Sequence, residues 1–425
     1  MDEKPQQPFL HVLDRAFLSA DDAACYAHER VGRRRDSGYY GYILQRSDLR
    51  FVISEPTEQP ISLHTHHQVL PDNHVLHGHF YSHPALSTLD ADKVVQLKWS
   101  VEEAATSLLI FSVEELRNHF ANALPAYLSG AEDSLIGFTP DRSRWVNLQA
   151  LMGTTDEPGG LALGLASGVA KPEQLVVEVA AAGDLQVLIS NGRWRPRGKI
   201  SGERVPGPWE RTVPERVSFG AVFLSADEAA LDRYSKDAGQ HDEEQTWFGF
   251  IFKQQGKAEY VASELVPAGG VRDKLYSLRS LFSEPRSMGD AYPESFLPHA
   301  YFYSRQQIKH ARDEPRRWLA QHFIVPRDLY VVVYNSKKHP VREEQVPIPL
   351  YVSTQDGALL KYVARKDTRL FDNDVPSMGL EDIQTNLASG KLTSTDFVRV
   401  VAKSGVLQVM RTSVCWGRNC LLYTS

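Results

Sequence analysis

The sequence predicts an α+β protein (α/β-like) made of two tandem copies of one unit, each a mixed β-sheet flanked by helices. Two internal repeats support this prediction. The segment FLSADDAA that starts at Phe17 returns as FLSADEAA at Phe223, and eleven of the 23 positions from 165 to 187 match those from 387 to 409. Matches that keep their order along a chain indicate a tandem duplication.

The length and composition are those of a globular protein with more than one core. The chain has 425 residues, 42% hydrophobic and 24% charged, which is too long for a single hydrophobic core. The net charge of −6 provides no basic field for nucleic acid, so we expect no nucleic-acid partner. The longest apolar runs are too short for a membrane span. The three cysteines, at 25, 415 and 420, predict neither a disulfide framework nor a zinc framework.

The N-terminal residues MDEKPQQPF lack the basic and apolar regions of a secretory signal. We therefore expect a cytoplasmic protein, or one delivered without a cleavable signal peptide.

Each unit opens with the same local signals. Ser19 and Ser225 are predicted helix N-caps, each followed three residues later by an acidic residue. Aromatic and β-branched residues then predict two strands joined as a hairpin. These strands cover residues 39–45 and 50–55 in the first copy, and residues 247–253 and 259–265 in the second.

The middle of each unit is predicted to hold a histidine-bearing strand, a helix and a strand buried on both faces. The helix covers residues 91–103 or 306–322, with Pro315 kinking or interrupting the second of these. The buried strand covers residues 107–111 or 329–334, and a further strand and turn cover residues 135–139 or 350–357.

Both units end in a helix–strand appendage, at residues 172–189 and 394–411, and Trp194 aligns with Trp416. The segment from 191 to 213 is rich in Pro, Gly and Arg and is typical of a solvated linker. The expected organisation is therefore a first domain at 1–190, a linker at 191–213 and a second domain at 214–425. We expect the two copies to pack as a pseudo-symmetric pair, as in a fused homodimer.

Seven of the fifteen histidines lie between residues 64 and 83. In a strand, residues 77, 79, 81 and 83 are expected on one face. His77-Gly-His-Phe-Tyr-Ser-His83 aligns with His299-Ala-Tyr-Phe-Tyr-Ser-Arg305 at an offset of 222, so the second copy keeps the pattern and loses most of its imidazoles.

The stretch FYSHPALSTLD, from Phe80 to Asp90, resembles the signature of the JAMM/MPN metallopeptidases. In that family an early glutamate is followed by His-x-His-Pro and Ser-x-x-Asp. The resemblance implies that two histidines and the aspartate bind zinc, while the glutamate handles the proton of the metal-bound water. The FLSADEAA opening also resembles a bacterial domain that accompanies Rhs and other polymorphic toxins. This resemblance covers about two-thirds of each unit and implies a role in bacterial antagonism.

The match to the family pattern is incomplete. His83, Ser87 and Asp90 fit, but Tyr81 stands at the place of the first histidine and Gly38 at the place of the glutamate. In the second copy, Arg305 and Arg312 stand at the places of the second histidine and the aspartate. Because fixed positive charges repel a cation, we expect the second copy to bind no transition metal.

The first copy offers an alternative ligand set. His79 and His83, with His64 and His66 on a preceding segment and Asp90, supply enough ligands for a three-ligand site, with zinc as the candidate ion. The alternative is a histidine-rich surface loop whose rings bond to the backbone.

Glu55 and Ser87 are the candidate catalytic residues of the first copy. The neighbouring acidic pairs Glu102–Glu103 and Glu114–Glu115 are interpreted as solvated faces of helices or turns.

Two functions of different class follow. One is a non-catalytic binding or scaffold protein that holds a protein or peptide at a sheet edge or groove. The other is a zinc-dependent peptidase or isopeptidase with an unorthodox site in the first copy. The incomplete ligand set in both copies favours the binding protein.

Overall fold

The computed structural model describes residues 12–13, 15–32, 34–58, 70–120, 122–153, 160–194, 197–200, 218–237, 247–267, 295–304, 314–338 and 347–417. The chain divides into two compact units, Met1–Arg216 and Val217–Ser425. The α+β fold class is confirmed, because each unit combines one mixed sheet with helices. No helix in the described ranges is long and apolar enough to cross a bilayer.

The first unit contains seven helices and seven strands in its described residues. They are α1 (Ala20–Val31), β1 (Tyr39–Arg46), β2 (Phe51–Ile53), β3 (His74–Ser82), α2 (Ala91–Gln96), α3 (Val101–Ser107), α4 (Val113–Phe120), β4 (Ala126–Ser129), β5 (Leu135–Pro140), α5 (Arg142–Met152), α6 (Leu161–Ser167), α7 (Pro172–Ala181), β6 (Gly183–Ile189) and β7 (Gly198–Lys199).

The second unit repeats much of this order. Its elements are α8 (Ala226–Asp237), β8 (Trp247–Gln254), β9 (Tyr260–Ala262), β10 (Val266–Pro267), β11 (Phe296–Ser304), α9 (Glu314–His322), α10 (Pro326–Lys338), β12 (Leu350–Ser353), β13 (Leu359–Ala364), α11 (Leu380–Ala388), α12 (Ser394–Ser404) and β14 (Gly405–Arg411).

The two sheets share one strand order. In the first unit it is β2-β1-β3-β4-β5-β6-β7, and in the second the path runs β10-β8-β11-β12-β13-β14, with β9 also paired to β8. The parallel pairs are β3 with β4 and β11 with β12, and the other strand pairs are antiparallel. The common order agrees with the duplication inferred from the sequence.

The histidine that both copies of this strand keep lies at a β-bulge. The pairing of β1 with β3 shifts between Ile43 and Leu44 and leaves His77 without a Cα partner. In the second unit the shift leaves out His299 in the same way. The bulge separates His77 from the simple alternation that the sequence predicts for residues 77, 79, 81 and 83. Each bulge histidine meets an aromatic ring edge-on, His77 with Phe51 and His299 with Tyr260.

Partly buried polar contacts also recur in both units. The Tyr127 hydroxyl donates to Asp21 at 2.8 Å, and the Tyr351 hydroxyl donates to Asp227 at 2.5 Å. Both aspartates lie in the first turn of a helix that starts at the repeated FLSAD segment. A carboxylate near a helix N-terminus is also stabilised by the helix dipole.

The strand predicted at residues 107–111 is wrong. These residues form the end of α3 and the connection to α4, and β4 is the strand that lies parallel to β3. The strand predicted at 329–334 is also wrong, because it lies inside α10. Its buried residues Leu329, Val332, Val333 and Ser336 follow helical spacing, while Tyr334 is exposed. A short apolar run does not by itself distinguish a buried helix from a buried strand.

Two further predictions are corrected. The helix expected at 91–103 is divided into α2 and α3, because Ser100 caps a new helix through reciprocal bonds with Glu103. The segment 350–357 was aligned with 135–139, but its strand β12 holds the place of β4, and β13 holds the place of β5.

Pro315 is the second residue of α9, in its first turn, where the missing N–H interrupts no helical hydrogen bond. Residues 306–313 of the predicted helix lie outside the described residues.

The helix–strand ends are integral parts of the sheets. The predicted helices and strands are present, but β6 and β14 pair directly with β5 and β13. The segment predicted as a linker begins inside the first unit, where Trp194 is 1% exposed and β7 extends the sheet. Residues 201–217 lie outside the described residues.

Candidate functional site

His83, the best match to the metal signature, has both ring nitrogens in hydrogen-bonding contacts. Nε2 lies 3.1 Å from both carboxylate oxygens of Glu115, and Nδ1 lies 3.1 Å from the Leu108 carbonyl oxygen. Both side chains of the pair are buried. The His83 backbone N–H donates to the Ser129 carbonyl and continues the β3–β4 pairing. His83 is therefore fixed by structural contacts on both sides of its ring.

Glu115 has two structural roles. One oxygen accepts from the Ser112 backbone N–H at 2.7 Å, while the Ser112 hydroxyl accepts from the Glu115 N–H at 3.2 Å. This capping box starts α4. The earlier interpretation of Glu115 as a solvated residue is wrong, because it is 6% exposed. The Ser112-x-x-Glu115 spacing is the sequence signal that identifies Glu115 as a capping residue of α4.

Burial and charge act in opposite directions on this pair. Burial alone lowers the pKa of His83, but the charge and hydrogen bond of Glu115 outweigh it and raise that pKa above its ordinary value. Burial alone raises the pKa of Glu115, but His83 and Ser112 outweigh it and lower that pKa. The paired arrangement favours a charged imidazolium facing a carboxylate.

His79 and Tyr81 lie in a cluster of buried rings, not in a set of metal ligands. His119 of α4 meets the His79 ring edge-on at 4.5 Å and the Tyr81 ring at 5.4 Å. Tyr42 of β1 closes the other side of His79 at 5.4 Å. The pKa of Tyr81 is raised, mainly by burial, so its phenol stays neutral. No spacing in the sequence connects His119 with His79, because His119 comes from a helix 40 positions further along.

His119 is 1% exposed, and neither of its ring nitrogens has a hydrogen-bond partner in the part of the chain that the structure describes. Burial and the nearby His79 lower its pKa to about 3, although Glu115 opposes this shift. An uncharged buried imidazole without a partner carries a desolvation penalty.

Asp90 and the catalytic candidates have other surroundings. Asp90 is exposed and caps α2, accepting from the backbone N–H groups of Asp92 and Lys93. Ser87 is exposed in a 3₁₀ turn, and Glu55 pairs with Arg30 at 3.6 Å. His64 and His66 lie outside the described residues.

The candidate ligands that the structure describes in the first copy do not converge on one point. Among the described residues, His79, His83 and Asp90 form no set of three ligand atoms within 4.8 Å, whereas His322, Asp356 and Cys415 of the second unit do. Since both ring nitrogens of His83 face oxygen acceptors and donate to them as N–H groups, neither offers a lone pair to zinc, and these residues do not fit zinc in the arrangement shown. A zinc set that includes His64 and His66 stays a prediction.

In the second copy, tyrosines stand at both of these strand positions. Tyr301 takes the place of His79 and Tyr303 that of Tyr81, as the strand registers show. Tyr303 is fully buried and its ring stacks on Phe248. Neutral tyrosines are poor zinc ligands. Arg305 and Arg312 lie outside the described residues.

The sheet edges differ between the two units. In both, the edge beside the hairpin is covered by the segment before the first helix. Phe17 bridges Phe51 in the first unit, and Phe223 bridges Tyr260 in the second. At the opposite edge, β7 covers β6 in the first unit, while the described sheet of the second unit ends at β14.

β14 runs over seven residues and carries exposed apolar side chains. Val406 is 62% exposed, and Val414, just beyond the strand, is 96% exposed. Leu407 and Val409 are partly buried, and Gln408 is exposed. A long edge strand with exposed apolar residues is a template for pairing with another strand.

Comparison of the chain with protein-family models, with curated proteins and with solved structures finds no match.

Proposed function

We propose that this protein is a non-catalytic binding protein that takes up an extended peptide segment of a partner protein along β14. The observation that carries this proposal is the uncovered outer edge of β14 among the described residues. An extended peptide adds to such an edge through main-chain hydrogen bonds.

The equivalent edge strand of the first unit, β6, shows how a further strand pairs at this position. There β7 pairs antiparallel with β6, with Gln186 opposite Lys199 and Val187 opposite Gly198, and the Ile200 N–H donates to the Leu185 carbonyl. The edge at β14 therefore has the geometry to take an added antiparallel strand.

The side chains of β14 favour a partner segment with apolar or β-branched residues. Val406 exposes most of its surface at the start of the strand, beside partly buried Leu407. Cross-strand contacts with β-branched or aromatic side chains contribute roughly 0.2–1 kcal/mol each. Affinity would come from the backbone, and selectivity from these side chains.

The contacts in the first unit support a role without catalysis. His83 is bonded to Glu115 and the Leu108 carbonyl, and Asp90 caps a helix. A catalytic zinc site needs three free ligand atoms and an open fourth position. The resemblance to a toxin-associated domain suggests a bacterial effector or its immunity partner as the source of the peptide.

Selection of displayed linear peptides on the full chain tests this proposal. Successive N–H groups of a strand point to opposite sides, so only one of Leu407 and Gln408 directs its N–H to the open edge. We expect proline at that position to weaken peptide binding by about tenfold or more while the melting temperature stays near wild type. Proline at the other position breaks a bond to β13 and lowers the melting temperature.

Hydrogen exchange supplies the second readout. Bound peptide should protect amides of β14 and leave those of β6, already covered by β7, unchanged. Peptides that bind both proline variants as well as wild type contradict the proposal. Binding that appears only after removal of residues 418–425 contradicts it too, because the chain's own terminal residues would then be the occupant.

A further inference from the structure

We infer that the second unit holds a three-ligand site for a zinc-class divalent cation, formed by His322, Asp356 and Cys415. One ligand atom from each of the three residues lies within 4.8 Å of the other two. In a tetrahedral zinc site with bonds of about 2.1 Å, ligand atoms lie about 3.4 Å apart. Small side-chain adjustments therefore bring the three atoms onto one ion.

The chemistry of the three donors favours zinc. An imidazole nitrogen, a carboxylate oxygen and a thiolate are all zinc ligands, and the mixture is unsuited to calcium or magnesium, which prefer oxygen. Three protein ligands leave a fourth position for water. The side chains of His322 and Asp356 are 19% and 14% exposed, so the site is sheltered.

The histidine nitrogen is free for a ligand role. Nδ1 of His322 is buried and makes no hydrogen bond with the described residues, although it lies 3.4 Å from Oδ1 of Asp356. A buried nitrogen close to a carboxylate but not hydrogen-bonded to it calls for an explanation, and a cation bound by both atoms would supply one. The Trp416 indole N–H donates to the His322 carbonyl and fixes the backbone of this residue.

Asp356 is oriented by a shell of donors. Its oxygens accept from the Thr354 hydroxyl at 2.7 Å, the Ser413 hydroxyl at 2.5 Å and the Cys415 backbone N–H at 3.0 Å. Burial raises its pKa, but these hydrogen bonds outweigh burial and leave the pKa well below its usual range. The three donors hold the carboxylate in place, as outer hydrogen-bond partners hold a metal ligand.

The first unit provides an internal comparison. The Trp194 indole N–H donates to the Leu109 carbonyl, so Leu109 has the place of His322. The registers of β4 with β5 and of β12 with β13 put Glu132 in the place of Asp356. Arg193 has the place of Cys415, because each directly precedes the aligned tryptophan. Glu132 and Arg193 form an ion pair at 3.5 Å. One framework therefore carries an ordinary ion pair in the first unit and three ligand side chains in the second.

These positions are separate from those that the sequence comparison marked in the second copy. The expectation that the second copy binds no transition metal depends on Arg305 and Arg312, which stand at the ligand positions of the family pattern. Neither arginine belongs to the cluster of His322, Asp356 and Cys415. The proposed site is also independent of peptide binding at β14, so each can fail without the other.

Cobalt(II) titration of the full chain, after chelator treatment, tests the site. Thiolate bound to cobalt gives a near-ultraviolet charge-transfer band, which histidines at residues 64–83 cannot produce. We expect a saturable band in wild type and its loss in Cys415→Ser. Asp356→Asn and His322→Gln should weaken cobalt binding by about tenfold or more. Zinc should raise the melting temperature of wild type but not of Cys415→Ser.

Cys25→Ser and Cys420→Ser are the matched thiol controls, and both should keep the band. Cys415→Ser is nearly isosteric, and its circular dichroism checks that the fold is intact. A wild-type chain without the band, or a band that survives Cys415→Ser, overturns the proposal.

Discussion

His83 and Glu115 form a buried pair that joins the end of β3 to the first turn of α4, with Nε2 of His83 3.1 Å from both oxygens of the carboxylate. The same carboxylate completes the capping box of α4 with Ser112. The pair therefore connects the sheet to the helix that covers it, at the position where the sequence places a metal ligand.

Glu115→Gln should destabilise the first unit at pH 6 by roughly 1–3 kcal/mol, because a hydrogen bond to a charged partner is lost. The raised pKa of His83 means that its contribution is full below about pH 6.5 and fades as the pH rises through its folded value. The lowered pKa of Glu115 removes its contribution in acid. The loss of stability should therefore be larger at pH 6 than at pH 9, as measured by urea unfolding.

Glu103→Gln is the matched control. Glu103 completes a capping box with Ser100 in α3, and it also accepts a hydrogen bond from Lys171 at 3.2 Å. We expect a small effect without the change between pH 6 and pH 9. Equal effects of the two substitutions would show that the cap, and not the histidine, accounts for the role of Glu115.

His119→Phe should reduce the acid sensitivity of the first unit. His119 has a pKa of about 3 in the folded chain, lowered mainly by burial, whereas the unfolded value is near 6.5. The unfolded state therefore takes up a proton first as the pH falls, and this costs up to about 1.4 kcal/mol per pH unit. Relative to wild type, the variant should gain about 1–2 kcal/mol between pH 7.5 and pH 5. Parallel stability curves for the two proteins would contradict this.

Gly168→Ala should be far more damaging than Gly390→Ala, although both glycines end the repeated Leu-Ala-Ser-Gly segment with positive φ, +76° and +73°. Left-handed backbone costs a non-glycine residue about 1–2 kcal/mol at either site. At Gly168 a Cβ would also lie 2.1 Å from the Leu97 carbonyl oxygen, while Gly390 has nothing within 4 Å. We expect an additional loss of roughly 1–3 kcal/mol at Gly168, measured by denaturant unfolding. Equal losses at the two positions would be inconsistent with the close approach to Leu97.

Tyr127→Phe and Tyr351→Phe should each lower the free energy of unfolding by about 1–2 kcal/mol, because each removes a donor to a carboxylate, Asp21 or Asp227. Calorimetry of the single variants measures the two losses. A clear effect in one unit and none in the other would show that the repeated contact has different weight in the two copies.

Some of the architecture could be read from local signals in the sequence. The Ser19 cap, the hairpin of β1 and β2 and the internal repeats all depend on neighbouring residues. Residues 329–334 show the limit of such signals, because an apolar run fits a buried strand as well as a helix. That these residues form the helix α10 is shown only by the helical spacing of the side chains that are buried in the core.

The candidate site shows the same limit more clearly. The sequence identified His79, His83 and Asp90 by spacing, but spacing says nothing about partners from distant segments. Glu115 comes from a helix 32 positions further along, and its approach to His83 is decided by how α4 packs.

The sequence by itself determined the duplication, the α+β class and the loss of most imidazoles from the second copy. Those features depend on residue identity and local periodicity, which the chain carries without folding. The tertiary structure decided that His83 is bonded to Glu115, that no strand among the described residues covers the outer edge of β14, and that His322, Asp356 and Cys415 lie close together. These relations join residues far apart in sequence, and only the packing of the core brings such residues within bonding distance.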